Sequence, residues 1–440
     1  MSVLPLPSLN ALIKKINKII DSATKNLSAS QTIFQHRLHY LFKSLDSLPE
    51  SVIEQLNYRL GATTAEQYPH ADAHLRLIMA INSKLKNPLT IDNLLELRKT
   101  FATDVVSIQS PTVWQQANSN NKKSDINWHD KTIANGHGGD MTIRCYQSSY
   151  PFDQKNDDLY NDELSNNELS SDKPNDDKVV MLFFHGGGYC IGDLDTHHEF
   201  CHTVCSQTGW AVVSVDYRLA PEYRAPTALK DCLAAYVWLS EYADTLGASS
   251  SRIVLSGDSA GGCLAILVAQ QITMPTPALW REISEDKQSA DKFTSLIRDL
   301  THPLAQMPLY PVTDYGSDHP SWSLYGQGLL LDNAEAEAFN TAYIKQSELP
   351  QAHPLVSVMN GDSSNLCPSY IVVAELDILR DEALVYAQYL EGEGFEVKTY
   401  TVLGAPHGFI NLLSVHQGLK RETTHIIDQF KIFVQELIAH

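Results

Sequence analysis

The pentapeptide Gly257-Asp258-Ser259-Ala260-Gly261 joins an apolar run, Ile253-Val254-Leu255, to a small-residue helical pattern that starts at Ala260 and continues through Val268. Few architectures accept this junction. A strand must turn at once into a helix, and the glycines two residues either side of Ser259 keep side chains out of the bend and push the serine hydroxyl above the sheet edge. A serine hydroxyl is a poor nucleophile at neutral pH and needs exposure, a base and a site for the developing oxyanion. The turn supplies the first, and the helix behind it aims partial positive charge at the same point. A glycine-rich turn alone could carry these five letters; the flanking strand and helix patterns make them a nucleophile elbow.

Upstream, the buried-strand run Met181-Leu182-Phe183-Phe184 ends in His185-Gly186-Gly187-Gly188, a loop almost without side chains. Preorganised N–H donors to a tetrahedral intermediate are each worth about 3 kcal/mol. The amides of Gly187, Gly188 and Ala260 are the candidate oxyanion donors, with His185, Gly186 and Asp258 in support. In a fold that presents its serine on such an elbow, the acid and the histidine follow it in the chain. The strand pattern Tyr370 to Ala374 leads into Glu375-Leu376-Asp377, and the pattern Val397 to Val402 opens into Gly404-Ala405-Pro406-His407-Gly408-Phe409. Position singles out His407 among 17 histidines as the general base. Asp377 is the expected orienting acid because it directly follows its strand, with Glu375 as the alternative. Asp381 and Glu382 read as first-turn residues of the next helix, favoured by its dipole.

These motifs resemble the bacterial hormone-sensitive-lipase family of α/β-hydrolases, whose members carry His-Gly-Gly-Gly and Gly-Asp-Ser-Ala-Gly. The likeness extends to Gly192-Asp193-Leu194-Asp195-Thr196-His197, to Asp216-Tyr217-Arg218-Leu219-Ala220-Pro221-Glu222, to Asp377 through Glu382 and to His407-Gly408-Phe409. It covers about Asn127 to the C-terminus. Ile378 stands where the family usually has proline, and His198 where aspartate is common. The resemblance implies an α/β-hydrolase fold, with a mostly parallel sheet, helices on both faces and a helical cap. It implies a serine carboxylesterase with Ser259, Asp377 and His407 as the triad, acting on short- to medium-chain acyl esters, and His185 organising the glycine loop. Rival readings are a lipase acting on acylglycerols at a membrane surface and a deacetylase of a small acetylated metabolite. Hormone receptors on this fold lose the catalytic histidine, which is present here. No metal or organic cofactor is called for.

The formal net charge of −19 disfavours nucleic acid and anionic lipid as generic partners, whereas a small neutral ester is compatible. No run approaches the ~18 apolar residues of a membrane span, and the N-terminus lacks the apolar region and cleavage pattern of a signal peptide. The seven cysteines are odd in number and suit reduced thiols in a cytoplasm. His197, His198, Cys201, His202 and Cys205 stand at helical spacing that could hold zinc, but they are expected to pack within a helix.

Leu9, Leu12, Ile13, Ile16, Ile19 and Ile20 share one helical face, expected to pack on the protein rather than lie on a membrane. Further helical patterns near Ile33–Leu45, Val52–Tyr58 and Ile91–Phe101 predict a helical N-terminal region, 1–126, contributing to a cap. Residues 127–440 then form the catalytic domain. It should open with a β-hairpin around Gly136–Asp140 and carry an acidic surface loop, 153–178, and a cap insertion, about 314–366. A strand is expected at Leu309–Val312. Tyr189, Tyr217, Trp322, Tyr325 and Leu329–Leu331 are the candidate pocket residues.

Overall fold

A computed structural model describes residues 31–86, 88–115, 126–148, 178–284 and 286–439. The amphipathic face at residues 9–20 and the acidic tract to residue 177 lie outside them. The centre is an eight-stranded sheet in the order β1-β2-β4-β3-β5-β6-β7-β8. Its strands are β1 (Ile126–Ala134), β2 (Asp140–Ser148), β3 (Val180–Phe184), β4 (Ala211–Val215), β5 (Ile253–Asp258), β6 (Ala305–Leu309), β7 (Ser369–Leu376) and β8 (Val397–Pro406). The β1–β2 and β2–β4 pairs are antiparallel and the others parallel. The hairpin forms where expected: Asn135 Oδ1 accepts the amides of His137 and Gly139 at 2.9 and 3.1 Å, closing the turn.

Parallel strands need both faces covered, and every residue of β3 to β6 is buried. Alternation along β3 sends Val180, Leu182 and Phe184 into one apolar cluster and Met181 and Phe183 into the other, on opposite faces. The first face is covered by α6 (Thr227–Tyr242), α7 (Ala260–Thr273) and α12 (Arg380–Gly392), the second by α5 (His198–Thr208) and α13 (Gln417–Ala439). Every residue of α7 is buried, so its small side chains let the helix sit close behind the elbow. The strand expected at Leu309–Val312 lies earlier, at Ala305–Leu309. Tyr310 turns out of the sheet with a φ of 35°, and Pro311 has no amide to continue a ladder.

Among the described residues four helices precede the sheet: α1 (Gln31–Asp46), α2 (Glu50–Leu60), α3 (Ala73–Leu85) and α4 (Leu94–Ile108). No helical pattern was read over α3, although Asp72 caps it by accepting the Leu75 amide at 2.9 Å. These helices are fastened to the loops at the carboxyl ends of the strands. Arg98 donates to the carbonyls of Cys190 (2.6 Å) and Ala220 (2.5 Å) and pairs with Glu222. His70 meets Glu375 at 2.7 Å, and Asp72 meets His416 at 3.0 Å. Burial would raise the Asp72 carboxyl, but His416 and the capped amide bring it down to about 2. After α7 come α8 (Pro277–Glu282) and α9 (Lys287–Arg298); between β6 and β7 the chain forms α10 (Pro320–Tyr325) and α11 (Asn333–Asn340), and Lys86 reaches across to the Leu330 carbonyl at 2.9 Å and pairs with Glu335.

Candidate active site

Ser259 stands between β5 and α7 with φ 55° and ψ −119°, a strained conformation held because its amide donates to the Leu309 carbonyl at 2.9 Å. His407 Nε2 lies 2.8 Å from Ser259 Oγ, and His407 Nδ1 donates to Asp377 Oδ2 at 2.7 Å. That bond leaves Nε2 as an acceptor facing the serine hydroxyl. Asp377 is buried, and its other oxygen accepts the Leu379 amide at 2.9 Å, fixing the carboxylate plane. Glu375 points elsewhere: it accepts from His70 and from the Gly404 amide. The Tyr310 ring packs edge-on against His407, 4.9 Å between centroids.

The glycine loop is built on its missing side chains. Gly187 and Gly188 have φ of 110° and 58°, and a Cβ on Gly188 would lie 2.2 Å from Phe339 Cγ. Among the described residues, the amides of Gly187, Gly188 and Ala260 have no protein acceptor. Asp258 Oδ1 accepts the Gly186 amide at 2.7 Å and lies 3.0 Å from His197 Nε2. Burial would raise Asp258, but His197 and the Gly186 amide hold it below the usual carboxylate range. His185 is pushed down to about 4 by burial and by His197, so its neutral ring donates from Nδ1 to the Gly186 carbonyl at 2.8 Å.

A cavity of about 930 Å³ opens above Ser259 and His407, at the upper end of ligand-pocket sizes of roughly 300–1,000 Å³. Of the candidate pocket residues, Tyr189, Trp322, Leu330 and Leu331 line it, and Leu329 is buried behind them. Tyr217 and Tyr325 do not line it, a correction to the sequence reading. Tyr217 is spent beneath the glycine loop, where its hydroxyl donates to the His185 carbonyl at 2.6 Å and its ring stacks on His185. The Tyr325 hydroxyl accepts from Arg380 at 2.7 Å, and that guanidinium covers its ring. Much of the cavity wall comes from the N-terminal helices. On α4 the stripe Leu97, Phe101, Val105 and Ile108 faces it, with Asp104 among them pushed up to about 6 by burial.

Several contributors were not read from the sequence. Tyr310 and Phe339 reach the site only through folding. Glu382, in the first turn of α12 as expected, is also fully buried: it accepts the amides of Thr313 (2.9 Å) and Asp314 (3.3 Å) and the Trp322 indole at 3.2 Å. Two histidines of the possible zinc cluster have other partners. His197 faces Asp258, and His198 bridges the Tyr146 hydroxyl and the Val113 carbonyl. Among the described residues no group of three or more ligand-type side chains is placed to hold a metal ion.

A family model described as alpha/beta hydrolase fold matches residues 181–411, and one described as steryl acetyl hydrolase matches residues 70–274. Lipase 2 of Moraxella sp. (strain TA144) is 60% identical over all of this chain and 98% of its own length. A carboxylic ester hydrolase of Mycobacterium tuberculosis is 36% identical over 57% of this chain and 62% of its own. Among solved structures, an esterase of Pyrobaculum calidifontis superimposes with a TM-score of 0.60 at 24% identity, covering 81% of this chain and 98% of that one, a likeness of fold.

Proposed function

The chain belongs to the α/β-hydrolase family, in its hormone-sensitive-lipase-like carboxylesterase branch, and from that premise we propose that it is a serine carboxylesterase. Ser259 Oγ attacks the ester carbonyl while His407 Nε2 takes its proton, and Asp377 keeps the ring in the productive tautomer and stabilises the imidazolium. The carbonyl oxygen, now an anion, receives the amides of Gly187, Gly188 and Ala260. Collapse of the tetrahedral intermediate breaks the C–O bond as His407 protonates the departing alcohol. Water, deprotonated by the same ring, then attacks the acyl-serine and releases the acid, restoring Ser259.

The observation that carries this reading is the unbroken relay from Asp377 through His407 to Ser259, with contacts of 2.7 and 2.8 Å, beside amides that have no protein acceptor. A fluorophosphonate should label Ser259 and abolish hydrolysis of p-nitrophenyl butyrate, and Ser259→Ala should lose both labelling and turnover. Turnover surviving in Ser259→Ala would overturn the proposal. The similarity to a protein called lipase favours acylglycerols as a second reading. A rate that jumps when tributyrin passes its solubility limit would support that reading. Seven free cysteines, all buried, suit a reducing compartment such as the cytoplasm. No helix among the described residues is long and apolar enough to cross a membrane.

A further inference from the structure

The wall that α4 gives the cavity carries one charge. Leu97, Phe101, Asp104 and Ile108 follow at spacings of four, three and four residues, so they share one face of the helix, and all four line the cavity. Leu95, Glu96 and Lys99 are exposed on the outward face. Asp104 faces inward and is exposed all the same, because the surface it presents lies on the cavity wall. The same cavity is walled by Leu38, Leu41 and Phe42 of α1 and by Ile78 and Ile81 of α3, none of which can answer a carboxylate.

The backbone carbonyl of Asp104 accepts the Ser107 hydroxyl at 2.7 Å, but among the described residues no donor or cation reaches its carboxylate. Burial raises the carboxyl to about 6, so at neutral pH the group is still mostly anionic. A desolvated charge without a partner is costly, and a cation brought by a ligand would remove that cost. The other carboxylates lining the cavity are answered or lie in water. His197 and the Gly186 amide hold Asp258, the Gly316 amide holds Asp314, Lys86 pairs with Glu335 and Lys345 with Glu337, while Asp318 is exposed. Asp104 thus combines an unpaired carboxylate with an apolar surround. The formal net charge of −19 also draws cations rather than anions toward the chain.

We infer that Asp104 is a subsite for a protonated amine carried on an apolar body: the amine's N–H groups donate to the carboxylate, and its hydrocarbon lies against Leu97, Phe101 and Ile108. That the amine belongs to the ester substrate rests on the ester-hydrolase reading above. A hydroxyl would donate one hydrogen bond and leave the charge uncompensated, so the ammonium is the better match.

Octylammonium and octan-1-ol differ in the head group alone, so their calorimetric dissociation constants with the purified full chain at pH 8 isolate the charge. Octylammonium should bind about tenfold or more tightly, the scale of a charge-assisted hydrogen bond. Asp104→Asn keeps the shape and should bring the two within about threefold. Asp104→Leu serves the same comparison should the first variant fold poorly. In hydrolysis, the kcat/KM of an ω-aminoalkyl butyrate relative to the plain alkyl butyrate of the same length should fall about tenfold from wild type to Asp104→Asn for at least one chain between hexyl and decyl. Octan-1-ol binding as tightly as octylammonium, or a preference for octylammonium unchanged in both variants, would overturn the subsite. A calorimetric preference with the ester ratio unchanged at every length would overturn its use by the substrate. Failure of every ester to be hydrolysed faster than by Ser259→Ala would instead remove the ester-hydrolase reading, with the binding result standing apart from it.

Discussion

Asp258 Oδ1 accepts the Gly186 amide at 2.7 Å, so the residue before the proposed nucleophile holds the loop that carries the proposed oxyanion donors. Two segments distant in sequence are thereby set in one geometry. Asp258→Ala should lower kcat by about 10²- to 10³-fold, the scale of losing an oxyanion donor, with a smaller change in KM. Steady-state kinetics on a soluble ester would check it, and an unchanged kcat would refute the coupling.

The two acids at the end of β7 should separate sharply on substitution. Asp377→Asn keeps the shape but favours the wrong His407 tautomer, and kcat should fall by about 10⁴-fold. Glu375→Gln weakens a partly exposed contact with His70, and activity should stay within about fivefold. Equal losses in the two variants would show that the acid is misassigned.

Gly188→Ala combines two costs: a φ of 58°, unfavourable for a residue with a Cβ, and a clash with Phe339. Unfolding stability should drop by about 1–3 kcal/mol and kcat should drop with it. Adding Phe339→Ala removes the clash but not the backbone strain, so stability should recover in part. Denaturant titration of the two variants would measure both terms.

Burial outweighs three N–H donors and pushes Glu382 up to about 8 from an ordinary 4.5. Between those values the folded protein holds one more proton than the unfolded chain, so this group's contribution to stability is fully present below pH 4.5 and lost as pH rises toward 8. The loss is at most about 1.4 kcal/mol per pH unit. Glu382→Gln is neutral throughout and should flatten that slope. Denaturation midpoints at pH 5, 6, 7 and 8 would reveal it, and identical slopes would refute the assignment.

The sequence by itself located the candidate triad and the strand patterns that carry its members. Ser259, Asp377 and His407 each follow an apolar run, and a strand's end is a place that local patterning can locate. The glycines after His185 were equally legible, because bare backbone is visible as an absence of side chains. What only the tertiary structure decided is everything set by packing between distant elements: the wall that α3 and α4 give the cavity, the edge contact of Tyr310 on His407, the burial of Glu382, and the use of Tyr217 below the loop rather than in the pocket. An aromatic ring or a carboxylate has the same letter whether it faces a ligand, a core or water. Its duty depends on which surfaces close over it, and that is a property of contacts across hundreds of residues rather than of periodicity within ten.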